Sequence, residues 1–133
     1  MGHLKRKKMQ YVETSNKSVE EVVEKIKEVC PKYKFGIQHI HKITETLKSK
    51  GIEFEKECQI LDICNPIIAE KFLSEDMSLS IIMPCKISVY SENGETIIAM
   101  NSLVQLVDDI NPDLIELAQE VQEQLLEIID EVK

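Results

Sequence analysis

With 133 residues, 43% hydrophobic and 30% charged, the chain has ordinary globular composition and enough length to bury a core, which excludes a disordered polymer. Its formal net charge of −8 argues against a nucleic-acid partner, because phosphate binding needs clustered Lys and Arg. No apolar run approaches the roughly 20 residues of a membrane helix, and the N-terminus lacks a signal-peptide core, so the expectation is a cytoplasmic chain with no membrane contact.

Taken in order, the one basic cluster is Lys5-Arg6-Lys7-Lys8. It reads as a solvated tail over residues 1–8, leaving 9–133 as one α+β domain. Met9 to Thr14 predicts a first strand. Ser18 with Glu21 three positions on is a capping box, and Val19, Val22, Val23, Ile26, Val29 and Cys30 follow at helical spacing until Pro31. Cys30 on that stripe reads as a small core hydrophobe.

Phe35 to Ile43 alternates as a strand, with Phe35, Ile37, His39, His41 and Ile43 on one face. Thr44 to Lys50 reads as a short helix capped by Thr44 and stopped at Gly51. Glu53 to Cys64 reads as a long strand of uncertain phase. Strict alternation groups Cys58, Ile60, Asp62 and Cys64 but leaves Leu61 and Ile63 opposite, so either both faces are partly covered or a bulge falls near Ile60. Asn65-Pro66 is a helix start, since Asn is a preferred N-cap and Pro fits the first helical position.

Past that helix, Cys85 to Tyr90 alternates with Cys85, Ile87 and Val89 inward, Asn93-Gly94 turns, and Glu95 to Met100 returns. Leu103 to Ile110 predicts a short helix. Asn111-Pro112 then launches the longest element, striped by Leu114, Ala118, Val121, Leu125, Ile128 and Val132. Its outer face carries Glu116, Glu120, Glu123, Glu127 and Glu131, which is either a solvated face or a surface for a basic partner. The fold class expected is α+β: an antiparallel sheet of about five strands with helices on one face, the last of them long.

The chemistry concentrates between Cys64 and Cys85. A thiol acts as a nucleophile or soft-metal ligand as its thiolate, and a helix N-terminus lowers its pKa. Cys64 stands just before such a terminus, and Asn65 could turn the helix amides toward the sulfur. The alternative is that both cysteines are small buried residues where strand meets helix. His39 and His41, at i and i+2, point the same way about 6.5–7 Å apart along a strand. With Cys64 and Cys85 they would form a His₂Cys₂ metal set, and Met77, Met83 and Met100 would favour copper(I) or haem iron. Asp62 could join Cys64 and His41 in a nucleophile arrangement. Glycine-rich phosphate loops, G-x-S-x-G and H-E-x-x-H are missing, so an enzyme ranks below a binding module.

The segments ICNPIIAEKFL, IMPCKISVYSENGETII and FGIQHIHKITETLKSKGIEF resemble the domain of unknown function 302 family, from about Thr14 to about Val107. The resemblance implies a compact α+β domain of the TATA-binding-protein-like fold group, commonly dimeric, with no established activity. It carries Cys64 and Cys85 over as recurrent motif positions. An acidic residue usually follows the second histidine of that pattern, where this chain has Lys42. The combined expectation is a homodimeric small-ligand module, its ligand a thiol or sulfur species and its pocket lined by Cys64, Asn65, Cys85, His39, His41 and Asp62. The runners-up are a metal- or haem-binding protein and a structural interaction module.

Overall fold

The computed structural model describes residues 9–133; the basic tail expected at 1–8 lies outside the described residues. Five strands, β1 (Gln10–Ser15), β2 (Gly36–Lys42), β3 (Cys58–Cys64), β4 (Cys85–Glu92) and β5 (Glu95–Asn101), form one antiparallel sheet in the order β1-β5-β4-β3-β2. The tight β4–β5 hairpin turns at Asn93 and Gly94, both at positive φ, as the Asn-Gly pair requires. The helices are α1 (Val19–Val29), α2 (Ile43–Ser49), α3 (Pro66–Glu75), α4 (Leu103–Ile110) and α5 (Ile115–Val132). Short 3-10 turns cover Cys30–Tyr33, Met77–Ile82 and Pro112–Leu114.

The register shows which side of the sheet is covered. One row across all five strands is Val12, Ala99, Ser88, Ile60 and His41. Its members are half-buried or exposed, with Val12 54% exposed. The alternate positions Leu61, Ile63, Ile87, Val89 and Ile98 are all sealed. They meet α1, which packs on β3, β4 and α5, and α5, which also carries α4. Helices therefore cover one face and leave the other open, as alternation in an antiparallel sheet allows.

Each helix of the covered layer follows its sequence signals. Ser18 and Glu21 make both halves of the capping box, and the α1 stripe from Val19 to Val29 is buried. The α5 stripe Ala118, Val121, Leu125, Ile128 and Val132 is buried too, with Leu114 half-buried at its start. Asn111 accepts from the Asp113 amide and opens a 3-10 turn that runs on into α5, rather than capping the long helix itself. Cys30 is fully buried, and burial pushes its thiol up to about 11, as fits a core hydrophobe.

Three local expectations are corrected. β3 begins at Cys58, not Glu53: beyond the Cys58–Tyr90 pair only Glu57 still meets β4, its carbonyl accepting from the Ser91 amide at 3.0 Å, before that strand ends at Glu92 and enters the hairpin turn. Thr44 does not cap α2; its hydroxyl donates to the Lys56 carbonyl and accepts from the Cys58 amide, tying the helix to the start of β3. The irregularity suspected near Ile60 falls instead in β2, between Ile37 and His39. Gln38 is the extra residue, so Ile37 opposes Ile63 on the covered face whereas His39 and His41 oppose Asp62 and Ile60 on the open one. Phe35 and Ile37 therefore do not share a face with the histidines. β3 itself keeps strict alternation, with Ile60 and Asp62 on the open face.

Candidate functional site

Two separate groups of side chains stand where one pocket was expected. The first is built at the end of β3. Cys64 ends the strand, Asn65 caps α3 and Pro66 occupies its first position. The Asn65 Oδ1 accepts from the amides of Ile67 and Ile68 at 3.0 and 3.3 Å. Pro66 has no N–H to offer, and the Ala69 amide returns to the Asn65 carbonyl at 2.9 Å. The amides that would have met a thiolate are thus already engaged by the cap. Consistent with that, burial raises the Cys64 thiol above its ordinary 9.0. The expectation of a thiol acidified by the helix terminus is corrected on this point.

Cys85 opens β4 just after Pro84 and pairs with Ile63, the neighbour of Cys64. Its thiol is pushed up to about 11, first by burial and then by the proximity of Cys64. Both sulfurs are free thiols, and both residues line one apolar cavity of about 30 Å³ with Phe35, Phe72, Leu79 and Met83. A space of that size admits a few heavy atoms, well short of the ~300 Å³ of a drug-sized pocket. Two open grooves flank it. One of about 560 Å³ runs along Gln38, Cys64, Pro66 and Glu70, and one of about 230 Å³ along Met83, Cys85, Lys86 and Leu106.

The second group lies on the open face of β2, β3 and β4. Asp62 accepts from Lys86 Nζ at 2.7 Å through Oδ1 and meets His41 Nε2 at 2.8 Å through Oδ2. Its side chain is only 13% exposed. Lys86 first, and His41 with it, hold its carboxyl below the usual 3.8 against a smaller opposing effect of burial. The His39 ring stands edge-on to His41 with centroids 4.4 Å apart. The His41–Asp62 contact was legible as a pairing of residue types. Lys86 was missed, although a Lys at the second position of β4, outward-facing beside inward Cys85, was a readable signal.

The sheet separates these groups. Cys85 faces the helix layer, while His39, His41 and Asp62 face the open side. The His₂Cys₂ set of His39, His41, Cys64 and Cys85 is corrected accordingly: among the described residues, no three or more His, Cys, Asp or Glu side chains are grouped so as to hold a metal ion. The Cys64, His41 and Asp62 arrangement keeps its His41–Asp62 half, which is hydrogen-bonded, while among the described residues no cysteine joins that pair in a three-residue group. Among the described residues no helix is long and apolar enough to cross a membrane.

The architecture defines an α+β protein with a half-covered antiparallel sheet and a thiol-lined cavity at the β3–α3 junction. A family model described as "Domain of unknown function DUF302" matches residues 11–132, and the chain belongs to that family. It is similar to the crystal structure of an uncharacterized conserved DUF302 protein from Bacillus stearothermophilus. The two share 32% identity over 93% of this chain and 98% of the other, with a TM-score of 0.88. No curated protein matches the chain in sequence.

Proposed function

We propose that this chain is a small-ligand binding module whose ligand places a compact, uncharged, apolar or sulfur-bearing group between Cys64 and Cys85. The observation that carries the reading is the shared cavity: two free thiols from different strands border one apolar space. Both thiols are raised above 9.0, so at neutral pH they are protonated and present weak, polarizable S–H groups rather than charge. Such a lining favours a thiol or thioether over a phosphate or carboxylate. The same protonation disfavours a nucleophilic enzyme. Anything larger than a few atoms extends into one of the flanking grooves.

The test is thermal unfolding with hydrogen sulfide, methanethiol and a longer alkyl thiol, in the wild type and in Cys64→Ala and Cys85→Ala. A ligand at about a hundred times its Kd stabilises by about 2.7 kcal/mol, which at this size raises Tm on the order of 10 °C. The expected outcome is such a rise in the wild type that shrinks in both variants. No rise with any of the three compounds, or the same rise in all proteins, ends the proposal.

A second reading concerns assembly and rests on the open sheet face. At its β1–β5–β4 end Val12, Ile97, Ala99 and Tyr90 present apolar surface with no helix over it. The chain carries −8 overall, and the exposed face of α5 is rich in Glu. Two copies would therefore approach by this near-neutral patch rather than by their helices. A second copy of this chain is the occupant we assign to it. Sedimentation velocity should give a dimer in the wild type and a monomer in Val12→Glu; a monomeric wild type rejects the assignment.

A further inference from the structure

We propose that His39 and His41 chelate a divalent transition-metal ion of borderline softness, such as zinc, on the open face of β2, with Asp62 orienting His41 but not binding the ion. The site is independent of the cysteine cavity, which lies on the other side of the sheet, and of any reading of it. It stands at the β2 edge, about 19 Å from β1 across four strand spacings, and so apart from the patch that holds Val12.

Asp62 sets the tautomer of its neighbour His41. Its Oδ1 accepts from the Lys86 ammonium at 2.7 Å, and a carboxylate paired in this way only accepts hydrogen bonds. The 2.8 Å contact with His41 Nε2 therefore fixes the ring proton on Nε2. In the neutral imidazole that leaves Nδ1 as the one lone pair available to a metal. A carboxylate holding the far N–H of an imidazole is the arrangement that orients metal-binding histidines and strengthens them as donors. Lys86 Nζ occupies the other Asp62 oxygen at 2.7 Å, which keeps the carboxylate in its orienting position and away from a ligand position.

The second imidazole is in place. The extra residue in β2 turns His39 and His41 onto the same open face, with ring centroids 4.4 Å apart and planes at 76°. Two imidazoles on a tetrahedral zinc, with Zn–N of about 2.1 Å, have centroids about 5 Å apart. Rotation of side chains that already stand at the surface covers the difference of well under 1 Å. One chain thus supplies two ligands. Water completes the coordination, so the ion would keep open positions.

The test is calorimetric titration with Zn²⁺ alone in a His3→Ala background, where His39 and His41 are the only histidines left. Absorption of the Co²⁺ form accompanies it. One ion per chain is expected, with no sulfur-to-metal charge-transfer band. Affinity should fall at least tenfold in His39→Ala and in His41→Ala. In Asp62→Asn it should fall about tenfold or more at unchanged stoichiometry, the usual cost of removing an orienting partner. Lys86→Met, which keeps the carboxylate, should leave the stoichiometry and both ligands intact. No binding at millimolar Zn²⁺, equal affinity in the His39→Ala/His41→Ala double variant, or a thiolate band that disappears in Cys64→Ser overturns the proposal.

Discussion

Asn65 shows how one side chain can set the chemistry of its neighbour. By accepting from Ile67 and Ile68 it completes the start of α3, and by the same bonds it withholds those amides from Cys64. Asn65→Ala should cost about 1 kcal/mol in chemical denaturation. It should also lower the Cys64 pKa, read as faster alkylation by iodoacetamide near neutral pH, because the freed amides then favour a thiolate. Unchanged alkylation in a destabilised variant would show that the cap does not govern the thiol. Asp62 gives a prediction in pH. Its folded pKa lies below the ordinary 3.8 through Lys86 and His41, so its contribution is present above that ordinary value and is lost as pH falls through the folded one. Urea unfolding of Asp62→Asn should therefore show a deficit at pH 7 that narrows toward pH 2–3. A constant deficit would assign the loss to packing instead.

At the scale of elements, the covered layer is locked by a polar residue in an apolar setting. Gln122 of α5 is buried; its Oε1 accepts from the Ser102 hydroxyl and the Val104 amide at 3.0 Å each, and its Nε2 donates to the Tyr11 hydroxyl at 3.0 Å. It joins α5 to the start of α4 and to β1. Gln122→Leu, of similar size, should cost about 1–3 kcal/mol in denaturant unfolding by leaving the Val104 amide without its acceptor; a neutral result would mean that amide finds another partner. Glu, Leu and Val at helical spacing made α1 and α5 readable from the chain, as did the Asn-Gly hairpin and the Asn-Pro start of α3. Their signals are local: caps, turns and periodicity act within a few residues. The role of Gln122 was not readable, because its partners lie 18 to 111 residues away. The start of β3 was missed for the same reason, being set by where the partner strand β4 turns.

For the molecule as a whole, the sheet with helices on one side was legible from the alternation of strands and from the two striped helices, and the DUF302 family confirms that class of fold. The composition of the candidate site was legible as well, but its division was not. Sequence spacing brings Cys64, Cys85, His39 and His41 together, whereas the sheet, an obstacle that spacing cannot express, sets Cys85 and the two histidines back to back. The single surplus residue of β2 decides which back each occupies. It acts like a one-letter change of reading frame in three dimensions. Deleting Gln38 would restore an unbroken zigzag without moving either group, because Ile37 would still oppose Ile63 on the covered face and the imidazoles would still oppose Asp62 and Ile60 on the open one. The deletion variant should therefore still fold, with a urea midpoint close to that of Gln38→Ala; a large loss of stability confined to the deletion would contradict this register. A family member one residue shorter here would then keep its histidines in the same solvent, whereas one of equal length that paired Gln38 in regular register would carry them to the other side.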